Sequence, residues 1–261
     1  FNARLNDETL DTLMQDPEVE TIEYNCFVKV DPLENDDSTL PAQSIRRGRQ
    51  AEEAVTWGRD RIDQRLLPLD RLYDHDGLTG SGAVIYILDT GMRISHQTFQ
   101  GRARAGFSAG CGNLGRPPTV CDGPGWAVSG VISDEHLRAN PSCDSIHGTH
   151  VGGSAGGRGF GVATSAELVT VQVLSCQAPG TGTTAGILNG MDWAINDAIA
   201  SGKPAVLSMS LGGPGTSFNY LRMVDRANAA GIPVVIAAGN EAVDACFVQP
   251  AFVPAATTVG A

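Results

Sequence analysis

The chain has 261 residues, of which 42% are hydrophobic and 18% charged, a composition typical of folded globular proteins and unlike that of disordered ones. Its net charge of −11 argues against a nucleic-acid partner, because phosphate binding requires an excess of Lys and Arg. No apolar run approaches the roughly 18 to 20 residues that cross a bilayer, so we expect no association with a membrane.

The negative charge is concentrated at the N-terminus. Residues 1–37 hold eleven acidic residues against two basic ones, which leaves residues 38–261 with a net charge of only about −2. This imbalance indicates a separate N-terminal module.

Residues 1–30 are predicted to form a small α+β piece. Asn6 or Asp7 can cap a short helix that Asp16-Pro17 ends. Leu10, Leu13 and Met14 lie at helical spacing and predict an apolar face, and the following stretch to Val30 is rich in β-type residues. Residues 31–54 are polar and contain the basic cluster Arg46-Arg47-Gly48-Arg49. We interpret them as a linker that includes a maturation region, although a basic cluster of this kind is also common on a merely solvated surface.

From residue 55 onward, apolar runs of strand length alternate with segments of helical spacing. Runs that are apolar throughout are typical of parallel strands buried on both faces, and there are four of them: Val84–Leu88, Leu168–Val173, Val206–Met209 and Val234–Ala238. One helix is predicted to begin at Thr183 or Thr184 and end at Gly202, and another to begin at Ser217 or Asn219 and end at Gly231. The pattern predicts an α/β fold, a doubly wound and mainly parallel sheet with helices on both faces.

Three polar residues are candidates for a functional site. Two of them follow predicted strands, where a parallel sheet places its functional groups, and the third lies in a glycine-rich segment. Asp89 and Asn240 each follow a predicted strand, and His147 opens a run of small residues. An acid, an imidazole and an amide donor are the parts of a nucleophilic hydrolase. Taken singly, each also fits a structural role: Asp89 and Asn240 as turn or helix caps, and His147 as a loop histidine. A zinc pair of His147 with His150 is disfavoured because no Glu accompanies it.

Taken together, the motifs resemble the subtilisin-like serine peptidases, and within them the proteinase K group. The resemblance rests on Asp89-Thr90-Gly91, His147-Gly148-Thr149-His150 and Ala237-Ala238-Gly239-Asn240 in this order, and it covers roughly residues 55–261. Residues 1–30 resemble the second half of the inhibitory prosegment of that family. The resemblance therefore implies three parts: a partial inhibitor prosegment over 1–30, the linker over 31–54 and a partial peptidase domain over 55–261.

The resemblance also implies a role for each matching residue. Asp89 orients His147, which acts as general base and then as general acid, and Asn240 donates to the oxyanion. The substrate channel is implied to lie between two backbone segments, with a pocket wall nearby; its residues are Gly180, Thr181, Gly182, Ser210, Leu211, Gly212, Ala237 and Gly239.

The chain departs from the family pattern in several places. It stops at Ala261, before the Gly-Thr-Ser-Met-Ala segment that carries the nucleophilic serine in the family, so we expect a fragment that is inactive by itself. Gly215-Thr216-Ser217 imitates that segment, but it opens a different helix and we interpret it as non-catalytic. Ile146 replaces the usual Gly before the histidine, where it is expected to crowd the site, and Gly152 replaces the common Ala.

Six cysteines without zinc-ligand spacing favour disulfides over a metal site, and disulfides indicate an oxidising compartment. The resemblance implies that Cys143 pairs with Cys176 and that Cys246 has its partner beyond Ala261. Cys111 and Cys121 are positioned to close a short surface insertion, which leaves Cys26 without an assigned partner. No cofactor is required by the resemblance, and structural calcium stays an open alternative.

The resemblance thus implies a secreted, monomeric serine endopeptidase zymogen that acts on proteins or peptides. Its own prosegment is expected to inhibit it, and neither nucleic acid nor a membrane is an expected partner. The competing hypothesis is a non-catalytic secreted binding protein on a decayed peptidase scaffold, motivated by Ile146 and by the early end of the chain.

Overall fold

The computed structural model describes residues 5–30, 51–109, 147–176 and 180–260. The sequence-based interpretations of the basic cluster at 46–49 and of Cys111, Cys121, Cys143 and Ile146 lie outside the described residues.

A six-stranded, wholly parallel sheet forms the centre of the fold, in the order β12-β10-β8-β4-β6-β5. Its strands are β4 (Val84–Asp89), β5 (Ala103–Ser108), β6 (Glu167–Gln172), β8 (Ala205–Met209), β10 (Val234–Ala237) and β12 (Thr257–Val259). The four strands predicted from apolar runs are confirmed to within one residue at each end. The α/β fold class is therefore confirmed.

Alternate residues of the central strand β4 point to opposite faces of the sheet, as strand geometry requires. Tyr86 and Leu88 belong to the larger apolar core, together with residues of the two long helices described below. Ile87 belongs to a second core with Leu168 and Phe99, against which the helix that contains Val151 packs. Because both faces are covered, strands that are apolar throughout are stable here.

The long helices begin and end where the capping residues of the sequence predict. Helix α4 covers Thr184–Ser201 and α5 covers Phe218–Ala229, while the shorter helices are α1 (Asp7–Met14), α2 (Trp57–Arg61) and α3 (His147–Gly156). The hydroxyl of Thr183 accepts from the Gly186 amide at the start of α4, and Gly202 ends it with φ +63°. None of the helices in the described residues has the length and apolarity to cross a membrane.

Helix α1 forms with Asn6 as its N-cap, whose side chain accepts from the Thr9 amide at 2.8 Å. The predicted apolar face is not buried, however, since α1 has no buried residue and Met14 is 69% exposed. Residues 5–30 therefore have no apolar core of their own. They join the rest of the structure through a strand, β1 (Phe27–Val30).

Strand β1 lies inside a second sheet, in the order β11-β9-β1-β7, and is antiparallel to both of its neighbours. The neighbours are β7 (Thr181–Thr183) and β9 (Leu211–Pro214), and β11 (Val248–Gln249) completes the sheet. A third pair joins β2 (Ala51–Glu53) to β3 (Leu72–Asp74), so the predicted linker ends in a short strand.

The smaller core provides a test of the fold. Leu168 is fully buried in it, so Leu168→Ala leaves a cavity and should lower the free energy of unfolding by about 2–5 kcal/mol. The measurement is urea unfolding of the complete gene product. Ile199→Ala is the matched control, because Ile199 on α4 is 56% exposed and its truncation should cost less than about 0.5 kcal/mol. Equal losses in the two variants would contradict the assigned core.

Candidate active site

Asp89 is the last residue of β4, and its side chain is fully buried. A buried carboxylate is costly unless its oxygens are hydrogen-bonded. Here Oδ1 accepts from the Thr90 amide at 2.6 Å, and both oxygens lie 2.8 Å from Nδ1 of His147. The carboxylate is therefore stabilised by the imidazole that the sequence analysis paired with it.

His147 is the first residue of α3 and is only 5% exposed. Because an ionised carboxylate only accepts, Nδ1 of the imidazole must donate to Asp89. In the neutral ring this tautomer leaves the lone pair on Nε2, which makes Nε2 a proton acceptor. The hydrogen bond to Asp89 thus fixes the orientation and the tautomer of the imidazole.

The turn after β4 and the start of α3 approach each other more closely than side chains would allow. A Cβ on Gly148 would lie 2.2 Å from the carbonyl oxygen of Gly91 and 3.0 Å from Oδ1 of Asp89. The amide of Gly148 also donates to the hydroxyl of Thr90 at 3.1 Å. Glycine at 148 is therefore required for the imidazole to reach the carboxylate.

Asn240 follows β10 by three residues, after Gly239, which has φ +96°. In the sheet, β10 is separated from β4 by β8 alone, and all three strands are parallel. Asn240 and Asp89 consequently lie beyond the same edge of the sheet. Asn240 is exposed, and its amide N–H donates to its neighbour Glu241 at 3.0 Å.

The predicted substrate channel is the space that β1 fills. Val28 pairs with Gly182, and Lys29 pairs with Thr181 on one side and Gly212 on the other. Val30 pairs with Leu211 and donates its amide to the carbonyl of Gly180 at 3.1 Å. Two further residues predicted for the site flank this sheet, since Ser210 directly precedes β9 and Ala237 ends β10.

Two glycines of the channel wall lie where a side chain would not fit. A Cβ on Gly182 would lie 2.3 Å from the carbonyl oxygen of Val173, and one on Gly180, where φ is +68°, would lie 2.9 Å from Val30. The structure therefore brings the predicted substrate-binding glycines against an extended segment of the same chain.

Two acceptors just before β1, which the sequence analysis did not single out, cap the long helices. Glu23 accepts from the Phe218 amide at 2.8 Å, from the Asn219 side chain at 2.8 Å and from the Ser217 hydroxyl, at the start of α5. Asn25 accepts from the Ala185 amide at 2.9 Å, at the start of α4. Both helix N-termini carry unpaired amides that favour such acceptors. No local pattern reveals these contacts, because donor and acceptor are 160 or more residues apart.

Ser217, in the segment that imitates a nucleophile motif, is buried, and its hydroxyl donates to Glu23. It is also the N-cap residue of α5 but makes no capping hydrogen bond of its own. Its contacts in the structure are thus those of a helix terminus. Gly152 has a packing explanation as well, since a Cβ there would lie 2.3 Å from Sδ of Met92.

Among the described residues, no three His, Cys, Asp or Glu side chains gather closely enough to hold a metal ion. Cys26 and Cys246 are free and exposed, whereas Cys176 is buried. The proposed partner of Cys176 lies outside the described residues, so the Cys143–Cys176 pairing stays a prediction.

Comparison with known proteins matches residues 80–261 to the model of the subtilase family. The chain is 38% identical over 255 residues to an extracellular serine proteinase of Thermus sp. (strain Rt41A), covering 98% of this chain and 50% of that protein. It is 37% identical over 260 residues to the alkaline serine exoprotease A of Vibrio alginolyticus, covering 100% of this chain and 40% of that protein. The chain therefore spans about half the length, or less, of these curated relatives.

The structure is similar to the crystal structure of a cold-adapted subtilisin-like serine proteinase. The TM-score is 0.62 at 38% sequence identity, and the match covers 79% of this chain and 64% of the other. The predicted subtilisin-like fold is thereby confirmed.

The close approach at Gly148 provides a test of the site. Gly148→Ala forces its new methyl group against the Gly91 carbonyl, so we expect a loss of about 1–3 kcal/mol in the free energy of unfolding. Gly153→Ala on the same helix is the control, because its Cβ meets nothing within 4 Å and alanine is the better helix former by about 0.5–1 kcal/mol. Thermal unfolding of the complete gene product measures both. Equal melting temperatures for the two variants would contradict the close packing of Gly148 against the Gly91 carbonyl.

Proposed function

Because the chain belongs to the subtilase family, we propose that it is part of a secreted serine endopeptidase zymogen that hydrolyses peptide bonds in proteins. The observation that carries the proposal is the buried Asp89–His147 hydrogen bond at the end of β4, next to a channel that holds an extended peptide segment.

In the proposed mechanism, Nε2 of His147 accepts the proton of a serine hydroxyl as its oxygen attacks the carbonyl carbon of the scissile peptide. The family resemblance assigns this serine to a Gly-Thr-Ser-Met-Ala segment, which residues 1–261 do not contain. The imidazolium then returns the proton to the leaving amine, and water hydrolyses the acyl-enzyme by the same route. Asp89 keeps Nδ1 protonated and stabilises the imidazolium. This role suits a carboxylate that is fully buried and bonded to the ring through both oxygens.

Asn240 is proposed to donate its side-chain amide to the oxyanion that forms during attack. Support comes from its position beyond the carboxyl edge of the sheet that also presents Asp89. A donor fixed in advance favours the transition state over the ground state, because the negative charge develops only there.

Substrate is proposed to bind as an antiparallel strand between β7 and β9, in the place of β1. The backbone groups of Thr181, Leu211 and Gly212 give main-chain hydrogen bonds that are independent of substrate sequence, and side-chain pockets then add selectivity. Ala237 and Gly239 are proposed to line one such pocket, near the turn that bears Asn240.

Residues 1–30 are proposed to be the inhibitory prosegment, with protein substrates excluded while β1 stays in the channel. Its contacts include the main-chain pairing of β1, the burial of Val28 at 2% exposure, the helix caps from Glu23 and Asn25, and ion pairs made by Glu20 and Lys29. Because α1 has no buried residue, these contacts are proposed to hold residues 5–30 against the rest of the structure.

A secreted location is proposed on two grounds. One relative is named an extracellular proteinase, and the predicted disulfides require an oxidising compartment.

The catalytic role of His147 can be tested with a reagent that acylates or phosphonylates active-site serines. His147→Ala in the mature form of the complete gene product should abolish labelling and lower kcat by about 10⁶, the size of effect measured for this residue type in subtilisin. His150→Ala, an exposed histidine one turn further along α3, is the control and should label normally. Unlabelled wild type that still binds a protein partner would instead support the non-catalytic binding hypothesis.

Asn240→Ala should retain labelling, because base and nucleophile are intact, while kcat falls by about 10²–10³ and KM changes little. A change confined to KM would contradict the oxyanion role.

The anchoring of the prosegment can be tested at Val28. Val28→Ala removes two buried methyl groups, worth about 0.8 kcal/mol each, so release of the segment should become roughly tenfold more favourable. The lag before peptidase activity appears in the purified zymogen measures this change. Phe27→Ala is the control, since Phe27 precedes Val28 in the same strand and is 76% exposed. Equal shortening by both variants would show that Val28 is not the anchor.

A further inference from the structure

Gln172 is a fully buried amide that lies beside the carboxylate of the candidate active site. It is the last residue of β6 and pairs in parallel register with Asp89, the last residue of β4. By the two-residue period of strands, both side chains lie on the face of Ile87 and Leu168, which α3 covers. The proposed mechanism gives this amide no role.

The hydrogen bonds of Gln172 link the turn after β4 to the strand β5. A buried amide is costly unless its polar atoms are hydrogen-bonded. Nε2 donates to the Thr90 carbonyl at 3.2 Å, and Oε1 accepts from the Ser108 hydroxyl at 3.0 Å. Because a carbonyl only accepts, the NH2 end of the amide must face Thr90. The side chain is therefore held in one orientation from both ends.

An irregularity in β5 brings Ser108 to the amide. Ala105 pairs with Thr170, two residues before Gln172. An unbroken register would therefore place Phe107 opposite Gln172, but the register shifts and Ser108 takes this place. The extra residue acts as a β-bulge, a feature that re-aims side chains and is common beside active sites. Here it replaces an aromatic ring with a hydroxyl that donates to the amide.

Thr90 uses each of its polar groups around the Asp89–His147 pair. Its amide donates to Oδ1 of Asp89 at 2.6 Å. Its hydroxyl accepts at 3.1 Å from the amide of Gly148, the residue after His147. Its carbonyl is the group that Gln172 binds. The bond from Gln172 therefore restricts the backbone of Thr90, and with it the direction of the contacts that Thr90 makes to both sides of the pair.

We propose that Gln172 is a positioning residue that acts on the Asp89–His147 pair through Thr90. The proposal rests on the proposed function, in which the imidazole is the general base. Gln172 keeps the carboxylate at the distance and angle at which it stabilises the imidazolium. A misplaced carboxylate stabilises the transition state less, whereas substrate still binds between β7 and β9. Loss of Gln172 should therefore lower kcat and leave KM nearly unchanged.

The test uses the mature form of the complete gene product, a neutral peptide substrate and a reagent that phosphonylates active-site serines, which counts the active molecules. Gln172→Met keeps the length of the side chain but cannot donate to Thr90. We expect kcat per active site to fall roughly 3- to 10-fold, the effect of one neutral hydrogen bond. The acid limb of kcat/KM should move about 0.5 to 1 pH unit lower, because a less stabilised imidazolium of His147 loses its proton at lower pH.

Thr170→Val is the matched control. Thr170 lies two residues earlier on the same face of β6 and is fully buried, but its hydroxyl has no hydrogen-bond partner in the part of the chain that the structure describes. Its kcat, KM and pH profile should equal those of wild type. Ser108→Ala removes the other contact of the Gln172 amide and should lower kcat about twofold in the same manner. It replaces Gln172→Met as the deciding variant if the latter does not fold.

A wild-type kcat in Gln172→Met and Ser108→Ala, or an equal fall in Thr170→Val, overturns the proposal. A lower kcat without a shift of the acid limb also overturns it, since the effect then does not pass through the imidazole. Hydrolysis by the wild type separates the two hypotheses. If it cleaves no peptide, the proposed function fails, whereas cleavage that Gln172→Met leaves unchanged removes only the role of Gln172.

Discussion

The buried carboxylate of Asp89 is the constraint on which the site depends. A charge at the end of a fully covered strand is tolerated only if protein groups replace its water shell, and the Thr90 amide and the His147 imidazole do so. This requirement constrains the position of α3, because His147 is its first residue. It also requires glycine at position 148, where the helix passes the Gly91 carbonyl. The arrangement that stabilises the charge is thus the same arrangement that orients the His147 imidazole.

The N-terminal segment is attached by the pairing of β1, by Val28 in the larger apolar core and by polar contacts at two helix ends. Glu23 accepts hydrogen bonds at the N-terminus of α5, and Asn25 accepts one at the N-terminus of α4. Strand β1 follows and lies in the channel between β7 and β9. Each channel wall directly precedes one of these helices in the chain: β7 precedes α4, and β9 precedes α5. A segment that contacts both pairs therefore restricts their positions relative to each other.

Much of the sheet could be predicted from sequence because its strands are buried on both faces. The runs at β4, β6, β8 and β10 can be recognised without knowledge of their partner strands, and Thr183 and Gly202 mark the ends of α4 by local chemistry. Strands β7 and β9 carry no comparable signal, since they are short and glycine-rich. Strand β1 falls in the stretch before Val30 whose β-type residues indicated a strand. Helical spacing predicted the apolar face of α1, but it could not show whether another element covers that face, and the structure leaves α1 without a buried residue.

Strand β7 shows how far one wall of the channel depends on what lies in it. In the part of the chain that the structure describes, β7 pairs with β1 and with no other strand, although the Thr181 carbonyl also accepts from the Ser175 amide. Once β1 leaves, β7 and β9 face each other as two unpaired edges one strand apart. Exposed edges of this kind recruit any extended chain, including another copy of the same protein. The segment that fills the channel therefore also protects these two strand edges from pairing with another chain.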